Sequence, residues 1–196
     1  MEGNHHHNGD RHEHHGMTSR GKFDDTAILK LIGVSKGQNF LDAGCADGHF
    51  SIAASKLVGE AGHVFSFDIH EPSLKSFREE VSSLGIAHIT IANVDVRGGL
   101  PVEDGALDHF FLSNVMHGFV FNGEERTVIS NIKRKLRKGG LLSLIEWDKD
   151  NVVHGPPKEH RLSFEEMKVL LSDQGFRPVK KDMASPEHVL MVFERL

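Results

Sequence analysis

From Phe23 onward the apolar residues of this chain alternate between a helical and a strand period, and that alternation limits the fold more than any single residue does. "FDDTAILKLIG" carries Phe23, Ala27 and Leu31, with Ile28 and Ile32 beside them, at helical spacing; "SKGQ" breaks the pattern, and Phe40-Leu41 opens a short strand. The unit recurs as a helix over about 47–58, a strand "HVFSFDI" at 63–69, a helix from Pro72 to Leu84 and a strand "HITIA" at 88–92. Then come a strand "LDHFFLSNV" from 107, a helix from about Glu124 to Arg137 and a strand "LLSLIEW" at 141–147. Pro72 suits a first helical turn, Gly85 a C-terminal cap, and Gly139-Gly140 is expected to end the helix before it. Such alternation predicts an α/β fold, a mostly parallel sheet with helices on both faces and right-handed crossovers. The ending departs from it. After the helix "SFEEMKVLLSDQG", the segments "RPVKKDM" and "EHVLMVFERL" are separated only by "ASP", too few residues for a parallel crossover, so an antiparallel C-terminal hairpin is expected.

With 196 residues the chain has room for one sizeable core, so a single domain over 17–196 is expected. No apolar run reaches the length of a membrane span, and a formal charge of −5 exerts no general pull on nucleic acid or on a membrane. Cys45 is the only cysteine, which excludes an intrachain disulfide and a Cys-rich zinc site; the chain reads as cytoplasmic. Residues 1–16, "MEGNHHHNGDRHEHHG", hold six of the fifteen histidines and no apolar periodicity, and are expected to form a disordered tail. That tail has two readings: an incidental or cloning-derived extension, or a ligand set for a divalent metal such as zinc, nickel or copper.

The chemistry concentrates in "FLDAGCADGHFSIAAS", residues 40–55, where a strand turns into a helix through small residues. In open parallel sheets a ligand sits beyond the carboxyl ends of the strands, at the first such turn, where glycine admits positive φ and the helix offers free N–H groups. The dinucleotide fingerprint G-x-G-x-x-G needs glycine at 44, 46 and 49, and the chain has Ala46 and His49. The pattern for S-adenosylmethionine asks for an acid at 42 and glycines at 44, 46 and 48; Asp42, Gly44 and Gly48 meet it and Ala46 departs.

On these residues the chain resembles the class I S-adenosylmethionine-dependent methyltransferases, particularly the small type 11 enzymes similar to quinone-biosynthesis C-methyltransferases. The resemblance covers about residues 23–196 and implies a Rossmann-like, doubly wound, seven-stranded sheet. It implies that Asp42, Gly44, Cys45, Ala46 and Gly48 line the methionine part of the cofactor, and that Asp68, followed by Ile69, meets the ribose hydroxyls. In "NVDVRGGLPVEDGALD" it assigns Asp95 to the adenine amino group and Val96 to the ring. The stretch "LSNVMHGF" ends the fourth strand beside the sulfur; Ser113, Asn114 and His117 stand where nucleic-acid and protein methylases carry an acid or Asn followed by Pro-Pro and an aromatic. A small-molecule acceptor is therefore expected, with S-adenosylhomocysteine as the product.

Displacement at a sulfonium carbon needs mainly alignment, and a base only where the acceptor must lose a proton. His117 is the candidate base, with Asn114 beside it; the bland alternative is a loop histidine that only shapes the site. Glu146, His154, His160 and Arg161 are polar groups placed to reach a substrate, although Pro156-Pro157 and a capping box at Ser163 and Glu166 also suit a purely structural segment. "KRKLRKGG" at 133–140 could pass for a nucleic-acid patch, but it falls at a helix C-terminus, where cations complement the dipole. Two rival classes remain at this point: an NAD(P)-dependent oxidoreductase, and a non-enzymatic metal-binding or sensor protein that uses the histidine tail.

Overall fold

The computed structural model describes residues 18–150 and 154–196. The histidine-rich tail, on which both readings of residues 1–16 rest, lies outside the described residues. In chain order the elements are α1 (Asp25–Leu31), β1 (Asn39–Ala43), α2 (His49–Val58), β2 (His63–Asp68), α3 (Glu71–Ser83), β3 (Ile89–Asn93) and β4 (Leu107–Ser113). There follow α4 (Met116–Phe121), α5 (Glu125–Lys135), β5 (Leu136–Trp147), a 3-10 turn (Lys158–His160), α6 (Phe164–Ser172), β6 (Phe176–Ser185) and β7 (His188–Arg195). The seven strands form one sheet in the order β3-β2-β1-β4-β5-β7-β6. β1 to β5 run parallel to one another, whereas β7 is antiparallel to both β5 and β6. The expected hairpin is present, and its second strand inserts between β5 and β6.

Both faces of the sheet are covered, which explains why the central strands read as nearly continuous apolar runs. Phe40, Phe111, Ile145, Leu190 and Val192 point to the face packed by α1 and α2. Their alternates Leu41, Phe110, Leu112, Leu144 and Met191 join Val128, Ile132, Met167 and Leu171 of α5 and α6 on the other. Local chemistry marks the helix starts. Asp24 accepts from the Ala27 N–H at α1, and Ser163 and Glu166 close the expected capping box at α6.

Three sequence expectations are corrected. β4 ends at Ser113 rather than continuing through Val115, because Asn114 takes a positive φ of 57° and starts the turn into α4, a helix too short to show a period. α5 stops at Lys135, since Leu136 is already extended, and Gly139-Gly140 lies inside β5. There the pairing with β4 steps from Leu107–Leu136 to His109–Leu141, so a bulge absorbs the glycines. Three of the five cations in the basic run are paired within the fold: Lys135 and Arg134 with Asp104, and Arg137 with Asp108.

Candidate active site

The order of strands reverses between β1 and β4, and a cavity of about 250 Å³ opens there, beyond the carboxyl ends of β1, β2 and β4. Its lining includes Asp42, Gly44, Cys45, Ala46, Asp68, Ile69, Asp95, Val96, Ser113, Asn114 and His117, which the sequence had marked from four separate segments. Gly48 does not line it.

One wall is a backbone construction. The Gly44 and Cys45 N–H groups both donate to the Phe67 carbonyl, at 2.7 and 3.1 Å, which seats the turn on the end of β2. Gly44, Ala46 and Gly48 all have positive φ, at 74°, 48° and 73°. The positive φ expected of the turn is present, and the protein's own packing adds a second demand for glycine at both positions. A Cβ on Gly44 would stand 2.5 Å from a methyl of Val115, and one on Gly48 2.2 Å from the Phe77 ring. Gly48 has no side chain to cap α2, so among the described residues that helix lacks the N-cap bond that Asp24 provides at α1.

Acids complete this wall. Asp68 accepts from the Ala46 N–H through one oxygen and from the His70 N–H through the other, each at 2.8 Å, and so joins the first turn to the second. Asp42 is 3% exposed and accepts a 2.6 Å bond from Ser51 Oγ, itself the acceptor of a bond from Ser66 Oγ. Burial pushes its carboxyl up to about 6, against the lowering effect of that hydroxyl. Asp95 is gripped by Arg97, which also reaches Glu124 at 3.0 Å; the guanidinium hydrogen bonds hold the Asp95 carboxyl below its ordinary range. Asn131 of α5 steadies that loop by donating to the carbonyls of Val96, Arg97 and Gly98.

The opposite wall is made of side chains. Ser113 Oγ and Asn114 Oδ1 are buried polar atoms without a hydrogen-bond partner among the described residues, at the cavity's edge. His117, 2% exposed, meets Glu146 through Nδ1 at 2.7 Å. The other Glu146 oxygen accepts from the backbone N–H groups of Met116 and His117, at 2.8 and 3.2 Å. Burial lowers the affinity of His117 for a proton, but the charge and hydrogen bond of Glu146 outweigh it and raise the pKa overall.

Glu146 thus faces α4 rather than a substrate. The other polar groups expected there lie elsewhere. Arg161 is buried and donates to the carbonyls of Pro156, Asp148 and His154, His154 pairs with Glu187, and the His160 ring packs on Phe121. None of these three lines the cavity. Residues 151–153 of this segment lie outside the described residues.

Sequence reading missed the roof. Thr18, Ser19 and Lys22 of residues 18–22 line the cavity, and the segment is tied in place: Arg20 bonds to Asp47 and Glu80, Ser19 Oγ is 3.0 Å from His49 Nε2, and His49 Nδ1 is 2.8 Å from Asp25. Lys22 lies over the Trp147 ring, which lines the cavity. Aperiodic polar residues such as Thr18, Ser19 and Lys22 give no local signal of such a place.

A family model described as a methyltransferase domain matches residues 34–185. Demethylmenaquinone methyltransferase of Listeria monocytogenes serotype 4a (strain HCC23) is 30% identical over 128 residues, 63% of this chain and 51% of that protein. The enzyme of that name from Staphylococcus aureus (strain MRSA252) is 31% identical over 123 residues, 61% of this chain and 47% of its own. The chain therefore spans about half the length of the curated relatives it matches. The crystal structure of a SAM-dependent methyltransferase from Aquifex aeolicus superposes with a TM-score of 0.80 at 26% identity, over 89% of this chain and 91% of the other. With the sheet order, the glycine turn and the match over most of the chain, the protein belongs to the methyltransferase domain family, as a class I member.

Proposed function

We propose that the cavity binds S-adenosylmethionine and that the chain transfers its methyl group to a small-molecule acceptor. The observation that carries this reading is the convergence of Asp42, Asp68 and Asp95 with the Gly44–Gly48 turn on one cavity. Lys22 and Arg97 oppose those acids and Glu124, so the lining favours a cationic guest. When bound, the cofactor supplies a methyl group activated by the positive charge of sulfur. Asp42 and the turn would hold its methionine end, Asp68 the ribose and Asp95 the adenine, in line with the family resemblance; the unpartnered Ser113 and Asn114 oxygens sit where further donors would be received.

The acceptor side is largely apolar, with Phe50, Val115, Phe119 and Trp147 among the lining residues. Such walls suit a flat hydrocarbon or aromatic skeleton, the class to which the quinone named in the two bacterial relatives belongs. The protein's contribution is mostly alignment, for which holding reactants in line provides about 7–11 kcal/mol. Calorimetric titration of the intact chain with S-adenosylmethionine, and separately with NADH, tests the reading. Micromolar binding of the sulfonium compound is expected; no binding of it or of its demethylated product refutes the assignment.

A further inference from the structure

Outside the acids assigned to the cofactor, three side chains form a connected line at the roof. His49, the first residue of α2, is buried, and its Nδ1 lies 2.8 Å from Asp25 Oδ2. The other Asp25 oxygen is buried without a hydrogen-bond partner among the described residues, so the imidazole is the group that answers this carboxylate. A carboxylate can only accept, which puts hydrogen on Nδ1 and the lone pair of the neutral ring on Nε2. Nε2 faces Ser19 Oγ at 3.0 Å. The Ser19 hydroxyl must donate to it and, with no second partner among the described residues, keeps its own lone pairs for another donor. Ser19 and His49 both line the cavity.

The local backbone sets up this line. The Lys22 N–H donates to the Ser19 carbonyl at 3.0 Å, and Gly21 between them has a φ of 81°, as the third residue of a type II turn requires. That turn sends Arg20 to Asp47 and Glu80 and leaves its two ends, Ser19 and Lys22, on the cavity. Lys22 Nζ lies 5.6 Å from the centre of the Trp147 ring. Arg97 of the lining is taken by Asp95 and Glu124, whereas Lys22 has no carboxylate within ion-pair distance among the described residues. Glu187, which feels the charge of Lys22, is itself held by His154.

We infer that Ser19, His49 and Asp25 form a proton relay for an acceptor that carries an acidic O–H, a phenol or an enol, with Lys22 placed to receive the oxyanion. The inference rests on the methyl-transfer reading for its purpose, but not for its geometry. In the step it serves, the acceptor's O–H proton passes to Ser19 Oγ while the Ser19 proton passes to His49 Nε2. The electron pair of the broken O–H bond stays on the acceptor. Its oxygen, or a carbon conjugated with it, attacks the sulfonium methyl, and the carbon–sulfur bond breaks with its electrons on sulfur. The imidazolium forms beside the Asp25 carboxylate, so no charge is created without a partner. Ser19 touches the acceptor, His49 receives the proton, and Asp25 is a positioning residue that keeps hydrogen on Nδ1. An amine acceptor attacks with its own lone pair and has no need of the relay. Phe50, packed on the His49 ring, and Trp147, under Lys22, give the acceptor's skeleton flat apolar walls. Around the ring, α1 carries Lys30 besides Asp25, β1 carries Asp42, β2 carries His63 and Asp68, and α3 sends Glu80 to Arg20; Asp42 acts on His49 through its charge.

4-Nitrophenol, whose ionised form is coloured, tests this on the intact chain, with and without S-adenosylhomocysteine. The bound probe is expected to ionise about one pH unit or more below the free probe, a tenfold change in acidity. Ser19→Ala and Asp25→Asn should return the bound probe toward its free value, and Lys22→Gln should do so in part. Arg20→Ala, which loosens the roof and leaves the relay in place, should weaken binding without moving the ionisation of the probe that is bound. A probe that fails to bind or ionises as it does in free solution overturns the inference, as does a shift that survives Ser19→Ala or is lost equally in Arg20→Ala. The wild-type titration decides even where a variant fails to fold. Calorimetry with S-adenosylmethionine on the same samples keeps the two readings apart: no binding in the wild type defeats the function proposed above and leaves the proton relay standing.

Discussion

The two walls of the cavity are built by different means. The glycine-turn wall is backbone: five consecutive residues from Gly44 to Gly48, three of them with positive φ, locked against Val115 and Phe77. The histidine wall is side chain: His117 and Glu146, 29 positions apart, held together in a buried pair. A backbone wall is damaged by adding atoms and a side-chain wall by removing them.

The largest effect should come from removing atoms. Glu146→Ala would strip the acceptor from three buried donors at once, and is expected to cost about 3–5 kcal/mol of folding stability in urea titrations. A loss under about 1 kcal/mol would show that water enters and that the wall is not dry. Gly48→Ala tests the other wall. A methyl group placed against the Phe77 ring at positive φ should cost about 2–4 kcal/mol, whereas a surface glycine such as Gly59, with nothing near its Cβ, should lose less under the same change.

Next in size is cofactor affinity. Asp68→Ala should weaken S-adenosylmethionine binding by about 10- to 100-fold in calorimetry, since hydrogen bonds to a charged acceptor contribute about 1.5–3 kcal/mol each. An unchanged Kd would confine Asp68 to its two backbone partners. Asp42 should then impose a pH dependence. Its carboxyl titrates near 6 in the folded protein against 3.8 in its ordinary state, so the fold loses stability as pH rises through that window and the charge is forced into the core. A cationic ligand reverses the preference. Its affinity should therefore rise between about pH 5 and 7, with release of a proton near pH 6, and Asp42→Asn should flatten the curve. The smallest change is expected at the roof: Arg20→Ala, which breaks half-exposed ion pairs, should alter stability by less than about 1 kcal/mol in the same urea titrations.

The same contrast explains what was legible in the sequence. The turn is local, so Asp42, Gly44 and Gly48 announce it within seven residues, and the strand-ending acids Asp68 and Asp95 follow at readable places. The hairpin was legible too, because "ASP" is too short for anything else. His117 could be named from its position after β4, but its partner could not: Glu146 looks like any acid near the end of a strand until the parallel pairing of β4 with β5 brings the two together. Residues 18–22 lack any period, and their role follows only from Asp47, Glu80 and Trp147 meeting them in space. The glycines at 139 and 140 misled for the opposite reason. A bulge and a helix stop use the same residue, and neighbours alone separate them.

Phe77 and Val115 fill the space beneath the turn, so its shape is cast before any ligand arrives. Association should accordingly run in a single kinetic phase whose rate is linear in ligand concentration, with no slow rearrangement after encounter. It also couples distant positions over evolutionary drift: a larger residue at 48 is tolerable only with a smaller one at 77. Phe77→Ala combined with Gly48→Ala should be less damaging than the two single changes added together, although Phe77 does not line the cavity.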